Sequence, residues 1–255
     1  MFDSGVGGLS VLQSIQRVAP HVPLLYVADS AHAPYGERDP AHVLDRALRI
    51  TAHLVEQGAA GIVVACNTAT AITIARLRER WPTLPIVGIE PGLKPAVAVT
   101  RNKRIGVMAT SATLASDKFR RLRAALPDGI ELSTQACPGL AQLIERGDLR
   151  APALREAVET HCAPLRAAGI DVVVLGCTHY AFVRHLIEAV LGPEVQVVDT
   201  AAAVARHALR RFGAARDGPE IRPARLQTTG AAAALATFAS SWLAGMFSVE
   251  TISGL

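Results

Sequence analysis

Two cysteines occupy the same local setting at two points of this 255-residue chain. Cys66 and Cys177 each follow a short apolar run that contains three β-branched residues, at 62–64 and 172–174, and each precedes a segment with helical character. Two thiols that each follow a strand can face one another across a cleft. Such a pair can remove a proton from one face of a carbon and return a proton to the other face. This chemistry inverts the carbon and requires no cofactor.

The position before a predicted helix suits acid–base chemistry by a thiol. The unpaired N–H groups and the positive dipole end of a helix N-terminus favour both a thiolate and the carboxylate of a substrate. The alternative is that a buried cysteine only fills space. We adopt that alternative for Cys137, which precedes Pro-Gly, and for Cys162, which lies inside a helical stretch. The matched settings of Cys66 and Cys177 favour catalysis.

A polar, glycine-rich turn at 3–8 is the next candidate. It leads from a strand into a helix, so we expect it at the same sheet edge as the cysteines. There, Asp3 could assist Cys66, and Ser4 could bind a carboxylate. The alternative is a simple helix cap. A dinucleotide-binding turn is disfavoured because Ser10 stands where its third glycine is needed.

Two further segments carry groups that suit a small acid. His179 follows Cys177 by two residues and could move protons or hold an ammonium group or a thiolate at neutral pH. The polar loop 33–37 contains Tyr35-Gly36. It is either a plain turn or a loop whose backbone and tyrosine close over the substrate.

The elements that must position these groups alternate along the chain. The segment 41–57 has apolar residues at helical spacing, and a second helix is predicted around 118–123. Uninterrupted apolar runs are typical of parallel strands that are covered on both faces. The predicted strands are 24–27, 62–65, 85–88, 105–108, 172–175 and 195–198. This alternation predicts an α/β fold, and the repeated pattern predicts two similar doubly wound lobes with mostly parallel sheets.

Composition excludes several other classes of protein. Half of the residues are hydrophobic, 19% are charged and the net charge is +4, as in an ordinary globular protein. We interpret the basic cluster 118–123 as a solvated helix face rather than a nucleic-acid site, and 231–247 as a buried alanine-rich helix rather than a membrane span. Four cysteines without zinc-like spacing predict neither disulfides nor a metal site. A signal peptide is not visible, so we expect a cytoplasmic protein.

The two halves differ at their first strand. Residues 104–107 precede Met108, whereas only Met1 precedes Phe2. We therefore expect a first strand that is shorter than its counterpart and holds Asp3 loosely. If activity is impaired, proton exchange initiated at Cys66 should suffer most.

Four strings together resemble the aspartate/glutamate racemase family. They occur in the family's order and span almost the whole chain, and the first two are similar to those of its glutamate enzymes. The strings are FDSGVGGLSVL (2–12), ADSAHAPYGE (28–37), ACNTATA (65–71) and GCTHY (176–180).

The resemblance implies roles for individual residues. Cys66 and Cys177 are the two acid/base thiols, acting on the D- and the L-enantiomer respectively, with Asp3 and His179 as their helpers. Glu145 is a further auxiliary residue. The residues that bind the substrate are Asp3, Ser4, Tyr35, Gly36, Asn67, Thr68, Thr178 and His179.

The resemblance also implies the context of the reaction. The substrate is glutamate, no cofactor or metal is used, and D-glutamate is supplied for peptidoglycan in a bacterial cytoplasm. A homodimer is expected, with neither nucleic acid nor membrane as a partner. The active site lies in the cleft between two lobes, formed by 1–92 plus 201–255 and by 93–200.

Other hypotheses remain open from the sequence. A sibling racemase or isomerase would act on another acid, such as aspartate. A binding protein would have lost activity through its short first strand. A nucleotide-binding oxidoreductase is the most distant alternative.

Overall fold

The structure, a computed structural model, describes residues 1–213 and 220–255. Strands and helices alternate along these residues. The strands are β1 (Phe2–Asp3), β2 (Leu25–Ala28), β3 (Ile62–Val64), β4 (Ile86–Gly88), β5 (Arg104–Ala109), β6 (Glu131–Ala136), β7 (Val172–Gly176), β8 (Gln196–Val198), β9 (Ala224–Thr228) and β10 (Phe247–Thr251). The helices are α1 (Leu9–Val18), α2 (Pro40–Glu56), α3 (Asn67–Arg80), α4 (Leu93–Val99), α5 (Ser111–Ala115), α6 (Asp117–Ala124), α7 (Leu140–Glu145), α8 (Pro152–Ala167), α9 (Arg184–Leu191), α10 (Ala201–Arg211) and α11 (Ala232–Ser240).

The strands form two parallel sheets. The first has the order β10-β9-β2-β1-β3-β4, and the second has the order β6-β5-β7-β8. Each pairing between neighbouring strands is parallel. Parallel neighbours require a long crossover connection, which the intervening helices provide. The predicted α/β class with doubly wound parallel sheets is confirmed.

The central strands are apolar because they are covered on both faces. Every residue of β3 and β7 is buried, and β5 is exposed only at Arg104. The six predicted apolar runs all form strands, with each end shifted by at most one residue. The basic cluster 118–123 lies in α6, where Phe119 is buried and the arginines face outward, as predicted.

Three strands were not predicted from the sequence. The edge strands β6 and β10 mix polar and apolar residues because they are only partly covered. The inner strand β9 contains Gln227, whose buried side chain donates from Nε2 to Glu250 Oε1 at 2.7 Å. The Oε1 atom of Gln227 also lies 2.7 Å from His53 Nε2. A buried polar side chain with two partners is compatible with an inner strand but interrupts the apolar pattern.

The prediction of one buried helix over 231–247 is wrong. Helix α11 ends at Ser240 and buries only Leu235, Phe238 and Ala239, and Phe247 already begins β10. The high alanine content of this segment raises its hydropathy without providing large side chains for a core. Alanine therefore forms an exposed helix here as readily as a buried one.

The chain crosses from the first sheet to the second after β4 and returns after β8. Strands β9 and β10 complete the first sheet, and α10 packs against α1. The two-residue strand β1 lies at the centre of that sheet. Phe2 is fully buried and pairs with Val27 and Val64. The Met1 amine donates to the Leu25 carbonyl at 2.6 Å.

Candidate active site

The predicted chemical groups meet where the C-terminal ends of the two sheets face each other. Asp3 ends β1, Cys66 lies two residues after β3, and Cys177 directly follows β7. Sites in parallel sheets form beyond these strand ends. Thr178 Oγ1 donates to Asp3 Oδ2 at 2.9 Å. Residues that follow the two sheets are therefore in direct contact.

Cys66 is the N-cap of α3. The Ala69 backbone N–H donates to Cys66 Sγ at 3.4 Å, and the thiol itself donates to Ser4 Oγ at 3.9 Å. Burial raises the pKa of Cys66 well above its ordinary value. The negative charges of Asp3 and Cys177 raise this pKa further, whereas the Ala69 N–H opposes the rise. Cys66 is therefore a thiol in the substrate-free site, and the second thiol is close enough to influence it.

Asp3 is held on both carboxylate oxygens although β1 has only two residues. Its Oδ1 accepts from Ser4 N at 2.6 Å and from Ser4 Oγ at 3.2 Å, while Thr178 holds Oδ2. Burial raises the pKa of Asp3. The charge of His179 and the hydrogen bonds to the carboxylate only partly offset that rise. Asp3 is therefore a buried, fully hydrogen-bonded acid in contact with both halves of the site.

Cys177 has a different environment. The predicted helical segment after it begins as a 3-10 helix, Thr178–Val183, and not as an α-helix. A side chain is the thiol's partner instead: His179 Nδ1 lies 3.7 Å from Cys177 Sγ. Burial alone would lower the pKa of His179, but Cys177 and Glu145 together raise it well above its ordinary value. Both partners of the His179 ring therefore favour its protonated form.

Glu145, at the end of α7, joins this side of the site to the first sheet. Its Oε1 accepts from His179 Nε2 at 2.5 Å and from the Val6 backbone N–H at 2.7 Å. A Cβ atom on Gly5 would lie 1.9 Å from that oxygen, so only glycine permits this approach. Glu145 also lines a cavity of about 590 Å³.

Gly7 lies at the contact between the two halves. A Cβ atom at this position would lie 2.5 Å from His179 Nδ1 and 2.6 Å from both Asp3 Oδ2 and Thr178 Oγ1. Side-chain atoms do not approach so closely. The glycine-rich turn therefore serves close packing between the two helper groups.

Asn67 and Thr68 follow Cys66 at the start of α3. The Asn67 amide is buried, and neither its Nδ2 nor its Oδ1 has a protein hydrogen-bond partner. A buried amide without a partner costs about 1–3 kcal/mol, which makes it a candidate for ligand contact. Thr68 Oγ1 lies 2.9 Å from Thr110 Oγ1 and 3.3 Å from Thr113 Oγ1. The sequence alone did not single out these two threonines of the second half.

The loop with Tyr35 and Gly36 also reaches the second half. The Tyr35 side chain is fully buried, and its hydroxyl donates to Asp29 Oδ2 at 2.5 Å. Of the two residues, Gly36 packs against Thr110 in the second half of the site. A Cβ atom added to Gly36 would lie 2.6 Å from Thr110 Cγ2. A role of Tyr35 in substrate binding would therefore involve its backbone rather than its hydroxyl donor.

The other two cysteines lack comparable partners. Burial raises the pKa of Cys137 to about 12 and that of Cys162 to about 11. Cys137 Sγ donates to a backbone carbonyl, and Cys162 lies within α8. All four cysteines are free thiols.

Residues 1–213 and 220–255 contain neither a cluster of metal-ligating side chains nor a membrane-spanning helix. No group of three or more His, Cys, Asp or Glu residues in this part of the chain is arranged to hold a metal ion. None of its helices is both long and apolar enough to cross a membrane.

Comparisons with known proteins agree with this geometry. A family model described as Asp/Glu/hydantoin racemase matches residues 7–208. The glutamate racemase of Ectopseudomonas mendocina is 51% identical over 213 residues, which cover 84% of this chain and 81% of that protein. The glutamate racemase of Methylococcus capsulatus is 50% identical over 214 residues, covering 84% and 79% of the two chains.

Solved structures match over nearly the full length. A glutamate racemase isoform from Bacillus anthracis has a TM-score of 0.88 at 31% identity, covering 99% of this chain and 96% of that chain. Escherichia coli glutamate racemase, in complex with L-glutamate and the activator UDP-MurNAc-Ala, has a TM-score of 0.86 at 28% identity, covering 99% and 97%. With these relatives and a family model that matches most of its length, the chain belongs to the Asp/Glu/hydantoin racemase family, alongside the glutamate racemases.

Proposed function

We propose that this protein interconverts L-glutamate and D-glutamate by moving the α-proton between two thiols. The observation that carries this proposal is the position of Cys66 and Cys177 after strands of the two sheets, each with its own polar partner and with Asp3 and Thr178 joined between them. The choice of glutamate rests on the relatives, which are glutamate racemases, one of them solved with L-glutamate.

Proton transfer from L-glutamate begins at Cys177. Its thiolate takes the α-proton, so an S–H bond forms as the Cα–H bond breaks, and the released electron pair is shared with the adjacent carboxylate. Cys66 then gives its thiol proton to the opposite face, which inverts the carbon and leaves a thiolate. D-glutamate reacts by the reverse sequence. The assignment of each thiol to one enantiomer rests on the family resemblance.

The surroundings of the two thiols differ in charge. The raised pKa of Cys66 keeps this group protonated and ready to donate to the carbanion formed from L-glutamate. The His179 imidazolium supplies the positive charge that a thiolate at Cys177 requires. In the opposite direction, the ammonium group of the substrate can offset the burial and the Asp3 charge that disfavour a Cys66 thiolate.

We assign substrate binding to groups around the thiols. Ser4, Thr68 and Thr178 provide hydroxyl groups, and the unpartnered Asn67 amide provides both a donor and an acceptor. The backbone of Tyr35 and Gly36 closes the opposite side. Asp3 and His179 complete the set as helpers that also contact the substrate, and Glu145 acts through His179.

We further propose that residues 1–92 and 201–255 form one lobe and residues 93–200 the other. This division follows the membership of the strands in the two sheets. Supply of D-glutamate for peptidoglycan in a bacterial cytoplasm fits the bacterial relatives. Independence from a cofactor and assembly as a homodimer remain predictions.

The substrate is tested by incubating the protein in D₂O with L-glutamate and, separately, with L-aspartate. Proton NMR should show loss of the α-proton signal of glutamate, together with the appearance of D-glutamate in a chiral assay. Exchange of aspartate in preference to glutamate would support a sibling racemase. Absence of exchange on glutamate would refute the proposed substrate.

A further inference from the structure

A buried carboxylate outside the thiol cluster holds the loop that closes the site. Asp29 directly follows β2 and is fully buried. It accepts from Arg46 Nε at 2.9 Å and Nη2 at 2.8 Å, from the Tyr35 hydroxyl at 2.5 Å, and from Thr229 Oγ1 at 2.9 Å. We call these four residues the anchor. It joins α2, the loop 29–37 and the segment after β9.

The chemistry of the anchor indicates positioning rather than simple stabilisation. Arg46 is only 3% exposed, so its ion pair with Asp29 is buried. The free-energy cost of removing these two charges from water offsets much of the attraction between them. An apolar cluster would stabilise the fold at least as well. The bidentate hydrogen bonding of Arg46 to Asp29 instead fixes the orientation of the carboxylate as well as its distance. Both Asp29 oxygens are saturated, so the Tyr35 hydroxyl is tied to a rigid partner.

The far end of the same loop reaches the second half of the site. Gly36 lies against Thr110, and Glu37 Oε1 accepts from the Gly139 backbone N–H at 3.1 Å. Near the root of the loop, the Ala31 N–H donates to Thr229 Oγ1 at 3.1 Å. The loop is therefore fixed at its root by the anchor and contacts the opposite wall at its tip.

We propose that Asp29 and Arg46 are positioning residues that hold Tyr35, and through it the Gly36–Glu37 tip, over the substrate. This inference rests on the proposed racemase function, because its kinetic consequence is expressed in that reaction. None of the anchor side chains transfers the α-proton. Loosening the anchor should therefore weaken substrate binding more than it slows chemistry.

The sharpest variant is Tyr35→Phe. It removes only the hydroxyl contact and keeps the buried ring. We expect the KM for glutamate to rise roughly tenfold, the effect of losing a hydrogen bond to a charged partner, with kcat changed less than about twofold. Asp29→Asn should raise KM at least as much. Arg46→Lys retains the charge but loses the bidentate hydrogen bonding, so its KM should lie between those of the wild type and Asp29→Asn.

Asp171→Asn is the matched control. Asp171 is also a buried carboxylate with several partners, accepting from Thr100 Oγ1 at 2.6 Å and from the backbone N–H groups of Arg101 and Asn102 at 2.5 and 2.9 Å. It precedes β7, at the end of the second sheet opposite the thiols. This variant should lose stability while its KM and kcat stay at wild-type values.

Two further measurements separate positioning from a merely structural role. In a double-mutant cycle on kcat/KM, Tyr35→Phe and Glu37→Ala should be non-additive, because the first frees the loop at its root and the second removes the contact of its tip with the Gly139 N–H. Hydrogen exchange should show faster exchange in residues 31–37 and at the Gly139 amide for Tyr35→Phe, but not for Asp171→Asn. This second readout does not depend on activity.

The proposal is overturned if Tyr35→Phe and Asp29→Asn keep the wild-type KM, or if loop protection is unchanged. If the wild-type protein fails to exchange the α-proton of glutamate, the proposed function fails instead. In that case, hydrogen exchange in residues 31–37 would still show whether the anchor holds the loop.

Discussion

Replacement of Glu145 by glutamine removes one negative charge from the Cys177 side of the site while retaining its shape. A single oxygen, Glu145 Oε1, accepts from both His179 Nε2 and Val6 N. A glutamine oxygen at that position retains both acceptor contacts. The E145Q variant therefore tests the charge of this group rather than its packing.

The expected magnitude follows from the loss of charge assistance. Hydrogen bonds to charged groups contribute about 1.5–3 kcal/mol and neutral ones about 0.5–1.5 kcal/mol, so the change costs about 1–1.5 kcal/mol. If this stabilisation acts at the transition state, kcat/KM falls roughly tenfold. The raised pKa of His179 keeps its imidazolium form present to high pH. Without the carboxylate this pKa falls, so the alkaline limb of the activity profile should move to lower pH.

The assay is a pH profile of kcat/KM measured from each enantiomer. Racemisation has an equilibrium constant of one, so kcat/KM must fall by the same factor in both directions. Glu188→Gln serves as the control, because Glu188 pairs with Arg184 in α9 outside the site. An E145Q profile with an unchanged alkaline limb would refute the charge-assisted role of His179.

Three further changes have distinct outcomes. Asp3→Asn should lower kcat/KM at least 100-fold. Its melting temperature at neutral pH should not fall, because burial raises the pKa of Asp3 and the charge of this group therefore does not favour the folded state. A lower melting temperature would contradict this. Gly7→Ala should destabilise the fold by about 1–3 kcal/mol in urea unfolding, since the new Cβ atom overlaps His179, whereas Gly245→Ala should be silent. Burial alone would raise the pKa of Asp29, but the hydrogen bonds from Arg46 and Tyr35 hold it below its ordinary value. The ionised carboxylate therefore stabilises the fold at neutral pH, and this stabilisation is lost as the pH falls through the lowered pKa. The difference in Tm between wild type and Asp29→Asn should accordingly shrink as pH falls, and a constant difference would contradict this.

The sequence predicts a site residue where a chemically active side chain stands next to a recognisable pattern of apolar residues. Cys66 and Cys177 could be located because each ends an apolar run, and the C-terminal ends of parallel strands share an edge of the sheet. The strands themselves were predictable because burial on both faces removes polar residues from β3 and β7.

Other parts depend on contacts between distant residues. Thr110 and Thr113 meet Thr68 only when the two sheets face each other. Arg46 lies in an ordinary amphipathic helix, and only the tertiary structure brings it to Asp29. Strand β9 was missed because a buried glutamine interrupts its apolar pattern. No local signal distinguishes such residues from surface ones.

Isotope exchange by the two single-thiol variants shows whether each thiol handles the α-proton of one enantiomer. Each variant is incubated in D₂O with L-glutamate and with D-glutamate, and α-deuterium and configuration are measured separately. Cys66→Ala should exchange the α-proton of L-glutamate with retention, Cys177→Ala should exchange that of D-glutamate with retention, and neither should racemise. Cys137→Ala should behave like wild type. Racemisation by either single-thiol variant at the wild-type rate would contradict the two-thiol account.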